Sequence, residues 1–530
     1  MARYKPVNYH QTRMIPVSFS EQIFPDTFEY TLAELIDHEL DLSIFDSRRR
    51  NDGPGAPAWH PGVMLKIIFY AYSRGITSSR EIERCCRENI TFMALSGNSR
   101  PHFTTIAEFI STMQDEITPL FLEVLLICDD MQLIGKEMFA IDGCKMPANV
   151  SREWSGTKEE MVSKVRKMER AIRCMLAKHK HADTTNKASC NRKKQEQRAQ
   201  VLRQKIHKIR RFLDDHDDKP GKGGGGPRKS NVVDNDSAKM KTSHGTLQGY
   251  DGVATVDAKH QVVVGAQAFG EPQEHDLLMP MIDDTRANFQ SIDRSRDIFL
   301  HTAIAADSGF HTEANVRALF EQKILGYVAD KLFRKRDERF GDVDKYKARH
   351  RQEVRRSQHS IYHPADFAYD PVKQTCICPA GKALYRNGNS CHIKDKEYVK
   401  FSGPKMHCVP CELRQQCLRH PDRTEVRQVV FVKAKTATGK PGYMELMKRR
   451  IDSEEGRQQY GRRLAIVEPV FGNITHNKKL KRFSLRGAAK VNIQWKLYCI
   501  VHNLLKIHRY GVMAKAERLE WPKQRPYCKL

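Results

Sequence analysis

Two aspartates stand at the ends of apolar segments that predict β-strands. Residues 138–142 read MFAID and residues 299–307 read FLHTAIAAD, so Asp142 and Asp307 each end a strand-like run. Neighbouring strand ends in an open mixed sheet bring such side chains together. Close carboxylates repel unless a cation lies between them, and Mg²⁺ prefers oxygen ligands. The pair therefore predicts a divalent-cation site, although an aspartate at a strand end is also a common turn former.

A third acid, Glu468, lies in an otherwise basic and apolar stretch that predicts a helix, YGRRLAIVEPVFGNI. Three carboxylates and phosphate oxygens suit two Mg²⁺ ions, which can clamp the attacking and leaving oxygens of a phosphodiester displacement. We expect Asp142, Asp307 and Glu468 to form that site. Pro469 follows Glu468 directly, and because proline lacks an N–H and crowds the preceding turn, the helix should kink or restart there.

The segments between the two aspartates predict a mixed α/β core. Residues 250–256 and 261–268 are β-rich and predict a hairpin, and LLMPMIDDTRANF after them predicts a helix. Beyond Asp307, TEANVRALFEQ predicts a helix capped at Thr312, and ILGYVAD predicts another strand. The order is strand with Asp, hairpin, helix, strand with Asp, helix, strand.

Six of the 14 cysteines fall within residues 376–417. A CxxC pair points two thiolates at one ion, and Zn²⁺ takes four tetrahedral ligands. The first choice for a structural zinc site is Cys378, Cys408, Cys411 and Cys417; the alternates are Cys376, Cys391 and His392. The competing interpretation is that these are buried free thiols. A zinc ion would stabilise the fold of a small insertion that has little hydrophobic core of its own.

Charge is concentrated in two blocks. The 530 residues include 90 Lys and Arg against 64 Asp and Glu, a formal net charge of +26. Residues 164–211 hold 17 Lys and Arg against three acids, and residues 478–530 hold 14 against two. The two blocks carry the whole excess. A polyanion is the expected partner, with nucleic acid as the first candidate, although either block could be a solvated face or tail.

Composition excludes some classes of protein. Apolar residues make up 40% of the chain, which excludes a wholly disordered protein. The sequence has no run of 18 apolar residues, so it predicts no membrane-spanning helix. The first twenty residues lack a signal-peptide apolar segment, so we expect a cytoplasmic protein with reduced cysteines. Residues 1–30 predict an extended arm, and residues 31–135 predict short helices that resemble a helix-turn-helix bundle.

The three acidic segments resemble the signature segments of DDE-type insertion-sequence transposases. They are AIDGCKMPAN around Asp142, AADSGFHTEAN around Asp307 and the tyrosine–arginine–glutamate helix with Tyr460, Arg463 and Glu468. NDSAKMKT, GEPQEHDLLMPMID and the N-terminal segments HPGVMLKIIFYAYSRG and HFTTIAEFI are similar to other parts of these enzymes. The resemblance spans roughly residues 15–510.

The resemblance implies an RNase H-like catalytic core that binds Mg²⁺ or Mn²⁺ through Asp142, Asp307 and Glu468. It implies a transposase that binds the terminal inverted repeats of its element, cleaves the DNA ends and joins the 3′-hydroxyl to target DNA by two-metal phosphoryl transfer. Double-stranded DNA would be the partner of a homodimer on paired ends, in the cytoplasm and nucleoid of a bacterial-type host. Tyr460 and Arg463 would contact the DNA backbone.

One position departs from the family pattern. The glutamate helix usually carries a lysine seven residues after the glutamate, and here that residue is Thr475. Lys478 or Lys479 would have to supply its phosphate contact. The alternative is therefore a catalytically impaired or repurposed sequence-specific DNA-binding protein of the same fold.

Four domains are expected. Residues 1–135 form a helical DNA-binding domain, and residues 136–330 form the first part of the core, with a basic helical insertion at 151–235. Residues 331–450 form a Cys-rich inserted module. Residues 451–530 supply the C-terminal helices of the core and a basic tail.

Overall fold

A computed structural model describes residues 18–48, 57–182, 189–221, 226–242, 245–292, 297–337, 361–371, 373–388, 391–393, 396–432 and 442–511. Within these ranges only the backbone is described for residues 20, 178–182, 189–193, 335, 391–393, 396 and 432. The chain divides into two compact units, of which the second comprises residues 222–225 and 331–448. Within the described part, no helix is both long and apolar enough to span a bilayer.

The N-terminal region is helical, as predicted. Its six helices are α1 (Phe28–Glu34), α2 (Pro61–Ser73), α3 (Ser79–Glu88), α4 (Ile90–Leu95), α5 (Phe103–Ser111) and α6 (Ile117–Asp130). Ile67, Ile68 and Phe69, three consecutive residues of α2, are all fully buried. A helix that is apolar all round must be enclosed by its neighbours, so α2 is the centre of this bundle. The predicted arm ends early, because Thr27 caps α1; residues 1–17 lie outside the described part.

The following elements alternate between strands and helices. In order they are β1 (Met138–Pro147), β2 (Ser155–Gly156), α7 (Lys158–Ala182), α8 (Ser189–Asp215), β3 (Ser230–Asn231), β4 (Ala238–Thr242), β5 (Gly245–Asp257), β6 (Val263–Phe269), α9 (Leu278–Ile292), β7 (Ala303–Ala306), α10 (Glu313–Glu321) and β8 (Gly326–Val328). The side chain of Thr312 caps α10, as predicted.

The central sheet is mixed, which confirms the predicted α/β class. β1 lies in its middle, antiparallel to β5 on one side and parallel to β7 on the other. β5 continues antiparallel to both β4 and β6, and β7 continues parallel to β8. The predicted hairpin is therefore β5 and β6. The two predicted aspartate strands, β1 and β7, are direct neighbours.

Two of the three C-terminal helices pack on this sheet. The three are α13 (Tyr443–Asp452), α14 (Glu454–Gly472) and α15 (Ala488–Lys506). α14 packs against β1, β7 and β8, whereas α15 lies against β6 and also contacts α2 and α6. Trp495 of α15 donates its indole N–H to the Val253 carbonyl at 2.9 Å. Asn503 of the same helix donates its side-chain amide to the Val263 carbonyl at 2.8 Å, so these two buried polar side chains fix α15 to the sheet.

The basic insertion is a pair of helices with its own core. α7 and α8 pack together around buried apolar side chains: Met161, Val165, Ile172, Ile206, Ile209 and Phe212. The basic side chains lie outward, and those exposed include Arg166, Lys167, Arg170, Arg173, Lys194, Arg198, Arg203, Lys208, Arg210 and Arg211. Packing of the apolar stripe therefore leaves a strongly basic surface.

The second unit is a small antiparallel sheet. Its elements are β9 (Ala368–Asp370), β10 (Thr375–Ile377), β11 (Ala383–Arg386), β12 (Cys391–Ile393), β13 (Lys396–Ser402), α11 (Lys405–Cys408), α12 (Arg414–Cys417) and β14 (Gln428–Val432). The strand order is β12-β13-β11-β10-β9, with β14 also paired to β13. Its described core comprises Phe367, Cys376, Leu384, Val399, Phe401 and Val429.

Candidate active site

Asp142 and Asp307 lie side by side on neighbouring strands of the central sheet. Asp142 does not end its strand, contrary to the prediction, because β1 continues to Pro147. Asp142 lies in β1, Asp307 directly follows β7, and the parallel register places Ile141 opposite Ala306. One residue further along each strand, the two aspartates lie side by side. Their side chains are 22% and 37% exposed, so both face a site that solvent reaches.

Arg463 of α14 joins the two aspartates. Its Nη1 donates to Asp142 Oδ2 at 2.5 Å, and its Nη2 donates to Asp307 Oδ1 at 3.2 Å. The guanidinium also lies 5.7 Å from the centre of the Tyr460 ring. Only 6% of the Arg463 side chain is exposed. In this structure Arg463 therefore balances part of the negative charge of the carboxylate pair, and it is not free to contact a DNA phosphate.

The periodicity of α14 explains why Arg463 faces the sheet. Its buried residues recur at helical spacing: Gly456, Tyr460, Arg463, Ile466, Val467 and Val470. Glu468 follows Arg463 by five residues, which places it about 140° around the helix. It is exposed and makes no hydrogen bond or ion pair with the described residues. The structure thus brings two of the three predicted acids together, and the Glu468 side chain lies apart from them.

The helix does not restart after Glu468, so this one of the two predicted outcomes is wrong. α14 continues through Pro469 to Gly472, and the N–H of Asn473 still bonds to the Pro469 carbonyl. The packing of Val467 and Val470 on the sheet side holds the helical path across this position.

Two carboxylates that the sequence did not single out border the site. The Asp251 side chain of β5 lies against Gly143, where a Cβ on residue 143 would stand 2.7 Å from Asp251 Oδ1. The Glu274 side chain lies against Gly309 in the same way, with a Cβ at 309 standing within contact distance of Glu274 Oε2. Gly143, one residue after Asp142, and Gly309, two residues after Asp307, therefore make room for these two further carboxylates.

Lys145 is a second cationic side chain of this cluster, besides Arg463. Lys145 Nζ pairs with Glu274 Oε1 at 2.7 Å, and Lys145 stands opposite Asp251 in the β1–β5 register. Asp251 is fully buried, and neither of its carboxylate oxygens accepts a hydrogen bond from a described donor. Four carboxylates thus meet two cationic side chains, Lys145 and Arg463. If all are ionised, negative charge remains in excess.

Burial and mutual repulsion weaken the acidity of this cluster. Burial raises the pKa of Asp142 to about 6; Arg463 opposes the rise, and the charges of Asp307 and Glu274 add to it. Burial likewise raises the pKa of Asp251 to about 7, and Glu274 reinforces that rise. Glu274 is therefore the glutamate whose charge acts on Asp142. Such shifts are common where carboxylates are held close together for a function.

The cluster fits a divalent cation in chemistry but not in its present geometry. The cluster has more carboxylates than cationic side chains, and both oxygens of the buried Asp251 lack a hydrogen-bond partner among the described residues. Mg²⁺ or Mn²⁺ would supply the missing positive charge and accept these oxygens as ligands. Yet no three Asp, Glu, His or Cys side chains of the described residues lie close enough to hold one ion. An ion that binds both Asp142 and Asp307 would have to displace Arg463 from between them.

The four first-choice cysteines lie around one cavity of the second unit. Cys378, Cys408, Cys411 and Cys417 all line it. Burial raises the pKa of the Cys417 thiol, and the charges of the other three add to the rise, so the thiols are near each other. The alternate Cys376 is buried in the small sheet, and the side chains of Cys391 and His392 lie outside the described residues.

The two lysines proposed to contact phosphate differ sharply. Lys478 is fully buried with no hydrogen-bond partner for its Nζ, and burial lowers its pKa to about 7. A buried ammonium cannot reach DNA, so the prediction for Lys478 is wrong in this conformation. Lys479 is exposed and remains a candidate. Thr475, at the usual lysine position, donates its hydroxyl to the Phe471 carbonyl at 2.7 Å.

Comparison with known families agrees with this architecture. The family described as Transposase DDE domain matches residues 377–508, and the family described as Transposase domain (DUF772) matches residues 17–112. Glu468 and the four cysteines lie within the first match, whereas Asp142 and Asp307 lie outside both. No curated protein and no solved structure gave a match.

The fold and the site define a mixed α/β protein in which Asp142 and Asp307 are paired on neighbouring parallel strands and a helical region precedes the core. The two family matches then confirm the resemblance to DDE-type insertion-sequence transposases. The DDE domain indicates an enzyme of the nuclease and transposase type, whose substrate is DNA.

Sequence reasoning missed Asp251, Glu274 and Lys145. Asp251 carried a signal, because it is a charged residue at the start of the β-rich run YDGVATV. An unpaired acid in a buried strand needs a partner or a function. Glu274 lies in the segment GEPQEHDLLMPMID, which resembles part of the transposase family, but nothing in its spacing linked it to the aspartates, and only the fold brings it to Gly309.

Proposed function

We propose that the protein is a transposase that binds the terminal inverted repeats of its element, cleaves the DNA ends and joins the 3′-hydroxyl to target DNA. The observation that carries this proposal is the pairing of Asp142 with Asp307 on adjacent parallel strands. The strand arrangement supports an RNase H-like core, since β1 has antiparallel strands on one side and two parallel strands on the other.

The residues that would hold Mg²⁺ or Mn²⁺ are Asp142 and Asp307, with Glu274 and Asp251 beside them. Glu468 is the third ligand that the family resemblance implies. When bound, such ions activate the attacking water or hydroxyl and neutralise the leaving oxygen of the phosphodiester. Without them, Arg463 supplies the positive charge that keeps the two aspartates together.

The described side chains divide the other tasks. Lys145 holds Glu274 in place, and Tyr460 supports the guanidinium of Arg463. The exposed basic side chains of α7 and α8 would neutralise DNA phosphates, together with Lys479. Because each phosphate contact releases counterions, affinity should fall steeply with salt. A homodimer on paired ends follows from the need to cut both ends together.

The proposal is tested with a supercoiled plasmid that carries the DNA flanking the coding region. Wild type should nick it with Mg²⁺ or Mn²⁺, and Asp142→Asn and Asp307→Asn should reduce nicking by about 100-fold or more. Asp283→Asn, on an exposed aspartate of α9, is the matched control and should nick normally. Wild-type rates for Asp142→Asn would overturn the site assignment.

A second assay separates transposition from simple nuclease activity. A second plasmid is added, and joined products are scored by sequencing across the junctions. Joined products with element ends at the junction support strand transfer. Nicking without any joined product would leave a nuclease of the same fold.

A catalytically impaired DNA-binding protein is the second candidate, and two observations favour it. Thr475 stands at the usual lysine position and is bonded to its own helix, and Glu468 lies apart from the aspartates. Specific binding to the repeats without metal-dependent nicking, under conditions in which the protein is folded, would select this candidate.

A further inference from the structure

We propose that Cys378, Cys408, Cys411 and Cys417 form a structural zinc site that holds the loop between β13 and β14 to the small sheet of the second unit. The inference is independent of transposition. The ion would stabilise the structure of the second unit and would take no part in catalysis.

The first ligand stands in a tight turn built for a thiolate. In the segment CPAGK, the N–H of Gly381 donates to the Cys378 carbonyl at 2.8 Å, and the N–H of Cys378 donates to the Lys382 carbonyl at 2.9 Å. Gly381 has φ +72°, a left-handed value that favours glycine. The Lys382 N–H then points at Cys378 Sγ, 3.4 Å away. An N–H aimed at sulfur stabilises the charged thiolate that zinc requires.

The other three ligands lie in the segment between Gly403 and Arg427. Cys408 and Cys411 form a CxxC pair, and Cys417 ends α12. A Cβ on Gly403 would collide with Cys408 Sγ, so glycine is needed for that sulfur to lie where it does. All four cysteines are in the reduced, unbonded form.

A single arginine organises the backbone of this loop. Arg414 Nη1 donates to the carbonyls of Cys408 and Glu425 at 2.9 and 3.0 Å. Its Nη2 donates to the carbonyls of Pro421 and Thr424 at 2.6 and 2.9 Å. The loop backbone is therefore held in shape before any ion binds, and the thiols are the groups left to be satisfied.

Apolar burial is too small to hold the loop by itself. Between residues 404 and 427, Leu418 is the one buried hydrophobic side chain, and the two helices are single turns. Small units with little core are commonly completed by a metal ion. The four cysteines surround a cavity of about 40 Å³, which leaves space for one ion.

The thiols must converge when the ion binds. No three of them stand at binding distance from one point among the described residues. Side-chain rotation of cysteine changes the sulfur position without moving the backbone, which Arg414 keeps in place. Zinc has no geometric demand beyond four ligands in a tetrahedron, so such an adjustment suffices.

The test begins with the metal content of the full-length protein, purified with zinc in the growth medium and dialysed against weak chelator. We expect one zinc ion per chain. Cys411→Ser should lose it, whereas Cys174→Ser, which removes an exposed cysteine of α7, should keep it. Asp142→Asn should also keep its zinc, which separates this site from the proposed active site.

A second measurement uses wild type alone, so that misfolding of Cys411→Ser does not matter. The protein is alkylated with iodoacetamide before and after a strong chelator, and each cysteine is followed by peptide mass spectrometry. We expect Cys378, Cys408, Cys411 and Cys417 to be protected until chelation and Cys174 to react throughout. Equal alkylation of the four with and without chelator, or purified protein with far less than one zinc per chain, would overturn the proposal.

Discussion

Arg463 donates to Asp142 at 2.5 Å and thereby occupies the position between Asp142 and Asp307. The same guanidinium reaches Asp307, so one helix side chain links two neighbouring strands. An arginine in such a place satisfies two carboxylates that would otherwise repel each other. A bound cation would do the same, and the two therefore compete for the aspartates.

Replacing Arg463 tests this competition. Arg463→Gln leaves a partly buried carboxylate pair without its cation, so we expect the free energy of unfolding in EDTA to fall by about 3 kcal/mol. Mn²⁺ should restore more stability to this variant than it adds to wild type. Urea denaturation with and without Mn²⁺ measures both effects. Arg462→Gln is the control, because Arg462 forms an exposed pair with Glu137 that contributes little.

Asp251 predicts an unusual pH dependence of stability. Its folded pKa of about 7 lies above the unfolded value, so between about pH 4 and pH 7 the unfolded state binds fewer protons. Stability must then fall as pH rises through this window. Asp251→Asn, which resembles the protonated acid, should match wild type near pH 4. Near pH 8, in EDTA, it should exceed wild type by on the order of a few kcal/mol.

The measurement is urea denaturation of both proteins at several pH values, with Asp283→Asn as the exposed-aspartate control. A difference between wild type and Asp251→Asn that stays constant from pH 4 to pH 8 would show that Asp251 is already ionised in the folded state throughout. Excess Mn²⁺ should reverse the order at pH 8, since the cation favours the charged form.

A side chain at position 309 should destabilise the protein, because the Glu274 carboxylate occupies the space where the Cβ would stand. Gly309→Ala puts a methyl group against the Glu274 carboxylate, and we expect a loss of about 1–3 kcal/mol in unfolding free energy. Adding Glu274→Ala should remove most of that loss, so a double-mutant cycle measures the contact. Gly461→Ala in α14, where a Cβ meets nothing within 4 Å, should be neutral or slightly stabilising. Additive effects of the two substitutions would contradict the contact.

Lys478 and Lys479 should behave in opposite ways. The pKa of Lys478 is lowered to about 7, so its cost to stability is complete below pH 7 and disappears as pH rises towards 10.5. Lys478→Met should therefore stabilise the protein most at or below pH 7, by on the order of a few kcal/mol, and should not change DNA affinity.

Lys479→Met is the companion variant, because its side chain is exposed. It should leave stability unchanged and reduce the salt dependence of DNA binding by about one unit of slope if Lys479 contacts a phosphate. Stability from denaturation and affinity from fluorescence anisotropy at several salt concentrations distinguish the two lysines. An affinity loss confined to Lys478→Met would reverse the assignment.

Much of the site was readable in the sequence, for identifiable reasons. Asp142 and Asp307 end runs of apolar strand residues, and a strand that is buried on both faces reads as such a run. Tyr460, Arg463 and Val467 recur at helical spacing. The four cysteines of the second unit have ligand-like spacing, and they do line one cavity. In each case the pattern is visible in the types and spacing of residues along the chain, without knowledge of tertiary contacts.

The remainder depended on contacts between residues distant in the chain. Sequence spacing did not reveal that Arg463 would lie between the aspartates, that Glu468 would face outward, or that Lys478 rather than Lys479 would be buried. The positions of Arg463 and Glu468 depend on which face of α14 meets the sheet, since a shift of one residue turns a side chain by about 100°. Lys478 and Lys479 follow the helical turn Asn473–Asn477, where Lys479 has a positive φ of 57°, so helical spacing does not apply to them.

The sequence by itself determined the class of elements, the location of the basic surfaces and the two strands that carry Asp142 and Asp307, because local pattern and composition specify them. It did not determine where the first strand ends, since β1 continues past Asp142 to Pro147. Only the tertiary structure decided which charges meet. Asp251 and Glu274 reach the site because Gly143 and Gly309 leave space beside the aspartates. That space is created by strand register and chain packing, and no local pattern encodes it.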